Sequence, residues 1–234
     1  MSIAANISSV KDRIAFAARR AGRNAADIAL MAVTKTQPAE RIREAYEAGQ
    51  RLFGENRVQD FATKAGALQD LHAAEWHMIG HLQNNKASRT VELFSAVDSV
   101  DSLKLAERLN AAASKLSRKL DILIEINVGG EAAKSGVPPD SAALEELVRA
   151  APRLEALVFR GLMTVPPFTE DPQGARPYFR QLRELRDTIA ARKLPAIAMD
   201  QLSMGMSHDF EVAIEEGSTC VRVGTAIFGE RKAI

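Results

Sequence analysis

Short apolar runs alternate along this chain with stretches whose apolar residues recur every third or fourth position, the periods of strand and helix. The first run is Ile28-Ala-Leu-Met-Ala-Val33. A helical pattern follows, with Pro38 near its first turn, Ile42, Ala45 and Tyr46 on one stripe, and Gly49 at its end. Proline has no amide to lose at a helix start, and glycine suits the residue past the end. Residues 51–56 read as a second strand and Trp76–Ile79 as a third, closed by Gly80. Leu93 to Val100 predicts a fourth, backed by a helix carrying Leu105, Leu109, Ala112, Ala113 and Leu116. The fifth, Leu120 to Val128, is almost continuously apolar and β-branched, as a strand buried on both faces should be. Its helix shows Leu144, Leu147, Val148 and Ala151. Leu157 to Met163 is the sixth strand; the loop Thr164–Pro172 and a helix with Tyr178, Leu182, Leu185 and Ile189 follow it. Residues 196–203 give a weaker seventh. Ser207 is expected to cap a short helix with Phe210, Ala213 and Ile214, and Asp209 to sit in its first turn, where negative charge suits the dipole. Thr219 to Val223 is the eighth strand.

Ahead of the first strand, residues 6–21 set Ile7, Val10, Ile14, Ala17, Ala18 and Ala21 on one helical face, with Arg13, Arg19 and Arg20 elsewhere. A transit peptide can look like this, but the stripe runs on without a cleavage-like break, so a helix packed on the domain is expected. No linker, low-complexity segment or repeat interrupts the alternation. Eight strand patterns in 234 residues predict an α/β fold: one (β/α)8 TIM barrel over residues 1–234 with an extra N-terminal helix. A doubly wound open sheet is the competing arrangement.

Composition narrows the function more than the fold. Lys plus Arg is 31 and Asp plus Glu is 30, a net charge of +1, so no nucleic-acid partner is expected. No apolar run reaches the roughly 20 residues of a membrane span. Cys220 is the only cysteine, which excludes an intrachain disulfide and fits a reducing, cytoplasmic setting.

In such a barrel, chemistry belongs at the carboxyl ends of the strands. Those ends carry Lys35, Asn56, His81, Asn127, Met163-Thr164, the segment Ser203-Met-Gly-Met-Ser207, and Arg222-Val-Gly-Thr225. Lys35 directly follows an apolar strand; a desolvated amine there becomes nucleophilic, although a solvated lysine flanking a strand is the plainer reading. Ser203, Gly205, Gly224 and Thr225 lie in the two loops where barrels often hold phosphate, and ordinary turns use the same residue types. Arg222 alternates with Val221 and Val223 and should point into the barrel, toward a ligand or a structural partner such as Glu125 or Glu55. His77 and His81 lack the companions of a metal site, and Asp98 and Asp101 suit helix caps as well as catalytic acids.

The segments Ala32-Val-Thr-Lys-Thr36, Phe53-Gly-Glu-Asn-Arg-Val-Gln59, Trp76-His-Met-Ile-Gly-His-Leu-Gln83 with Asn85-Lys86, Gly161-Leu-Met-Thr164, Leu202-Ser-Met-Gly-Met-Ser207 and Val221-Arg-Val-Gly-Thr-Ala-Ile-Phe-Gly229 resemble the pyridoxal-phosphate homeostasis protein family. They run in order through nearly the whole chain, and the family looks like the barrel half of alanine racemase, fold type III. The resemblance implies pyridoxal 5′-phosphate as cofactor, a Schiff base on Lys35, Arg222 at the pyridine nitrogen, Ser203, Gly224 and Thr225 at the phosphate with Gly205 nearby, and Asn56 along the ring. His81 and Met163 match the pocket wall more loosely. An arginine at the ring nitrogen leaves it unprotonated and weakens the electron sink that a carboxylate would maintain. The implied role is vitamin B6 homeostasis: holding the cofactor and delivering it to apoenzymes, without catalysis. The only tyrosines, Tyr46 and Tyr178, fall on outer helical stripes, and the sequence reads out at Ile234 soon after the last barrel motif, so neither a second base opposite Lys35 nor an appended β domain is expected. A monomer follows from that expectation. A weakly active amino-acid racemase or lyase is the alternative, and a sugar-phosphate aldolase using Lys35 directly a more remote one.

Overall fold

A computed structural model describes residues 2–131 and 134–230 of the chain. Its apolar runs become strands because each has a helix layer outside to bury one face and a barrel interior to bury the other. The strands are β1 (Ala29–Val33), β2 (Leu52–Glu55), β3 (Glu75–Met78), β4 (Ala96–Val100), β5 (Leu120–Glu125), β6 (Leu157–Met163), β7 (Ile197–Ser203) and β8 (Cys220–Val223). They are parallel and close into a barrel in chain order, with β8 pairing back onto β1. The doubly wound alternative is thereby excluded.

Around them run α1 (Ile3–Arg20), α2 (Ala39–Glu47), α3 (Val58–Ala65), α4 (Ala87–Leu93), α5 (Leu103–Lys115), α6 (Ala142–Ala150), α7 (Arg176–Ala191), α8 (Phe210–Glu215) and α9 (Thr225–Phe228). Gly49, at φ 90°, ends α2 as its sequence suggests. Three expectations need correction. Leu93 closes α4 rather than opening β4, because Val91 and Thr90 already bury a helical face. Residues 126–128 leave the β5 ladder after Glu125, and Ile126 bridges to Val137 instead. Ser207 does not cap α8: Asp209 holds the N-cap position without a side-chain cap bond, while Ser207 Oγ accepts from the amide of Ala226, 3.3 Å away in α9. The helices α3 and α4 carry two or three buried residues each, too few to stand out as periodic in the sequence.

The N-terminal helix packs on the fold as expected. Ile3, Ile7, Val10, Ile14, Ala17 and Ala18 are buried against α2, α8 and α9. Asn6 donates to the carbonyl of Ile227 at 2.8 Å, and Arg13 pairs with Glu211 at 2.9 Å. No helix among the described residues is long and apolar enough to cross a membrane.

Inside the barrel the packing is uneven. At the amino-terminal end small residues, Ala29 and Ala96, leave a cavity of about 590 Å³ bordered by His77, Asp98, Asp121 and Arg160. His77 Nδ1 lies 3.0 Å from Asp98 Oδ1. Burial opposes charge on that imidazole, but Asp98 outweighs it and raises the pKa.

Candidate functional site

The carboxyl mouth of the barrel gathers the residues that the strand ends suggested. Leu30 and Ala32 belong to the outer shell, so the odd positions of β1 point inward, and Lys35, half-buried, continues that series just past the strand. The next residue, Thr36, has φ 65°. A β-branched residue in the left-handed region is strained, and such strain persists only where the surroundings impose it. Here they do so through α3. Lys64 Nζ donates to the carbonyls of Thr34 (3.0 Å) and Gln37 (3.1 Å), bracketing Lys35 and Thr36, and pairs with Glu55 at 2.7 Å. Thr34 Oγ1 also donates to Glu55, whose side chain is only 1% exposed. The turn bearing Lys35 is thus tied to the end of β2 by a nearly buried ion pair, which no sequence signal had singled out.

Asn56 follows β2, and its Oδ1 is buried without a hydrogen-bond partner among the described residues. Gly80 lets the end of β3 close on it: a Cβ there would stand 2.4 Å from the Asn56 carbonyl oxygen. His81, at the same end, is exposed and lies 3.2 Å from Asp101.

Arg222 does point inward. It stands beside Met31 of β1 in the ladder and is 4% exposed. Its Nη1 donates to Ser203 Oγ at 2.8 Å and its Nη2 to the Thr164 carbonyl at 2.7 Å. No carboxylate among the described residues reaches ion-pair distance from it, so the direct ion pair with Glu125 or Glu55 weighed from the sequence is not formed. Burial weakens its hold on the proton, against the favourable fields of Asp98, Glu125 and Asp209 at longer range. Two residues earlier in β8, burial pushes the Cys220 thiol up to about 12, which leaves it inert as a nucleophile.

Glu125 ends β5 on the inward face, since Ile124 and Ile126 belong to the outer shell. It is 8% exposed, and its Oε2 has no hydrogen-bond partner among the described residues. Burial, then the nearby Asp101, raises its pKa to about 7 against the pull of Arg222. The sequence offered Glu125 only as a possible partner for Arg222. Met163 stands opposite it in β6, fully buried.

The two anion-loop candidates also meet. Ser203 is fully buried, and its hydroxyl is engaged by Arg222. Gly205, at φ 92°, turns the chain toward α8, and a Cβ would overlap Ala213 at 2.5 Å, so its smallness serves helix packing. Gly224 differs. Its φ is −113°, and a Cβ would meet Val33 at an ordinary 3.5 Å, so the packing of the protein makes no demand for glycine there. Thr225 is exposed at the start of α9, and Ser207 ties the two loops together. Asn127 is not free for the mouth, because its side-chain amide donates to the carbonyl of Glu131 at 3.0 Å. Ser102 caps α5, while Asp98 and Asp101 face His77 and His81 and cap nothing. No metal-ligand cluster exists among the described residues.

Comparison with known proteins agrees with this fold. The family model of the alanine racemase N-terminal domain matches residues 6–232. A protein of Aquifex aeolicus named pyridoxal phosphate homeostasis protein is 47% identical over 232 residues, covering 99% of this chain and 100% of the relative. Its namesake in Escherichia coli K12 is 44% identical over 235 residues, 98% and 97% of the two chains. The PipY structure from Synechococcus elongatus, solved with PLP bound, superposes with a TM-score of 0.84 at 36% identity, covering 97% of this chain and all of that one. Matched almost end to end by model and relatives alike, this chain belongs to the alanine racemase N-terminal domain family and, within it, stands with the pyridoxal phosphate homeostasis proteins.

Proposed function

We propose that this protein binds pyridoxal 5′-phosphate covalently through Lys35 and serves vitamin B6 homeostasis by holding the cofactor and handing it to apoenzymes. The observation that carries the reading is a buried cation, Arg222, fixed at the carboxyl mouth by Ser203 and Thr164 with no carboxylate at ion-pair distance among the described residues. Two further features fit the same group: Asn56 and Glu125 each keep a buried oxygen unsatisfied, and Gly224 is small without a packing reason. Buried polar atoms are rarely left unpaired, so unsatisfied ones around one opening favour a polar ligand. When bound, this cofactor supplies an aldehyde that a lysine amine can engage and an electron-accepting ring.

In this reading Lys35 makes the covalent link, Arg222 faces the ring nitrogen, and Asn56 lines the ring. Ser203, Gly205, Gly224 and Thr225 form the phosphate side, with Gly205 shaping the loop and Ser203 acting through Arg222. The clamp from Lys64 keeps the Lys35 turn in place. A carrier is favoured over a racemase because Tyr46 and Tyr178 lie on outer helices; the Tyr46 hydroxyl accepts from the amide of Ala73. The monomer reading is favoured because the larger exposed apolar side chains, Phe16, Leu116, Val165, Phe168 and Met206, supply no broad face on α1 or α5.

The deciding experiment is peptide mass spectrometry after incubation with the cofactor and borohydride reduction. A phosphopyridoxyl mass on the Lys35 peptide is expected. An unmodified Lys35 under excess cofactor refutes the assignment.

A further inference from the structure

Two carboxyls near the mouth, Glu55 and Glu125, each keep a buried Oε2 without a hydrogen-bond partner among the described residues. Glu55 is held through its other oxygen by Lys64 and Thr34, whereas Glu125 forms no ion pair among the described residues. The other acids near it are engaged: Asp101 with His81, Asp98 with His77, and Asp209 with the amide of Met206 at 2.6 Å. Arg222 does not serve Glu125, since its two hydrogen bonds go to Ser203 and Thr164. Strand geometry fixes where Glu125 looks. It is the last residue of β5, its neighbours Ile124 and Ile126 face outward, and its own main-chain carbonyl is occupied by the amide of Val137 at 2.9 Å. A buried carboxylate oxygen without a donor is unfavourable and resolves by taking a proton. The outer oxygens of a phosphorylated pyridoxal are acceptors or anions, so a neutral acid complements them and an ionised one repels them.

We propose that Glu125 is a ligand-facing acid of this mouth: it is present as the neutral carboxyl when the cofactor is bound and donates a hydrogen bond to one of its anionic oxygens. The proposal rests on the reading of the mouth as a pyridoxal-phosphate site and goes beyond it by making retention of the cofactor depend on a proton. Every group that faces Glu125 bears on that proton. Asp101, beyond β4, favours the neutral form. Arg222 on β8 opposes it, and Met163 of β6 stands beside it without a charge. In the ligand-free protein Glu125 is half ionised near pH 7. A bound anion holds it neutral to higher pH, so affinity weakens as pH rises through that point and binding above it draws a proton from solution.

The test is titration of the full-length protein with pyridoxal 5′-phosphate between pH 6 and pH 9, with proton uptake measured calorimetrically at pH 8 in buffers of different ionisation enthalpy. Glu125→Gln keeps a donor and cannot ionise. It should match the wild type within about threefold at pH 6, bind about tenfold more tightly at pH 8, and gain further at pH 9. Its proton uptake at pH 8 should fall below that of the wild type by most of one proton. The phosphate and Lys35 titrate in both proteins, so the difference isolates Glu125. Should the variant fold poorly, infrared difference spectra of the wild type decide instead: a protonated-carboxyl band appearing on cofactor binding at pH 8 supports the assignment, and its absence overturns it. Superimposable affinity and uptake profiles, with Lys35 labelled in both proteins, defeat the role of Glu125 alone. Failure of the wild type to bind or to be labelled defeats the site reading itself.

Discussion

Glu125 shows how one residue can work against stability in favour of a site. Its carboxyl moves from an ordinary 4.5 to about 7 on folding. Between those values the folded state binds more protons than the unfolded one, so stability falls as pH rises and the loss is complete above pH 7. The shift corresponds to about 3 kcal/mol. Cofactor-free Glu125→Gln is therefore expected to unfold at higher urea than the wild type at pH 8 and at nearly the same urea near pH 4.5; equal midpoints at pH 8 would show a solvated carboxyl. The sequence disclosed Arg222 and withheld Glu125 for one physical reason. Alternation between two valines reveals which way a side chain points, but not whether an atom across the barrel meets it. The same limit hid Lys64, which acts on Thr34 from 30 positions away.

At the scale of elements, one ion pair adds α3 to the contacts that join β1 and β2. Lys64 of α3 reads Glu55 at the end of β2 and the two carbonyls around the Lys35 turn. Removing one partner of a buried pair leaves the other uncompensated, at about 3–5 kcal/mol. Lys64→Met should cost stability of that order and also slow covalent attachment at Lys35, because the Thr36 turn loses the contacts that hold its unfavourable φ. Adding Glu55→Gln should recover much of the thermal stability without restoring attachment, as followed by the absorbance change on cofactor addition. Recovery of both would reduce the clamp to a fold-stabilising pair. Most elements were legible beforehand, since a strand between two apolar layers is apolar throughout. The start of β4 was not: Leu93 is as apolar as the strand that follows, and only the helical burial of Thr90 and Val91 assigns it to α4.

Over the whole molecule, α1 links the first and last parts of the chain. It buries its stripe on α2, α8 and α9, and its polar face reaches Glu211 and the carbonyl of Ile227. Ile7, 2% exposed at the centre of that stripe, makes the contact testable. Ile7→Ala should destabilise the protein by about 2–5 kcal/mol in thermal unfolding while leaving Lys35 labelling intact. A negligible change would mean that the helix rests on the barrel without securing it. The barrel as a class was readable from eight alternating patterns, whereas the seat of α1 depended on partners at the far end of the sequence.

The contact between Asn6 and Ile227 has a topological consequence. Residues from opposite ends of the chain already lie side by side, and the strands follow one another around the barrel in an unbroken circle. The order of reading is therefore separable from the architecture. A circular permutant joined near these residues and opened in the exposed loop after β6 would keep every strand beside its present neighbours, with a different unit made first during synthesis.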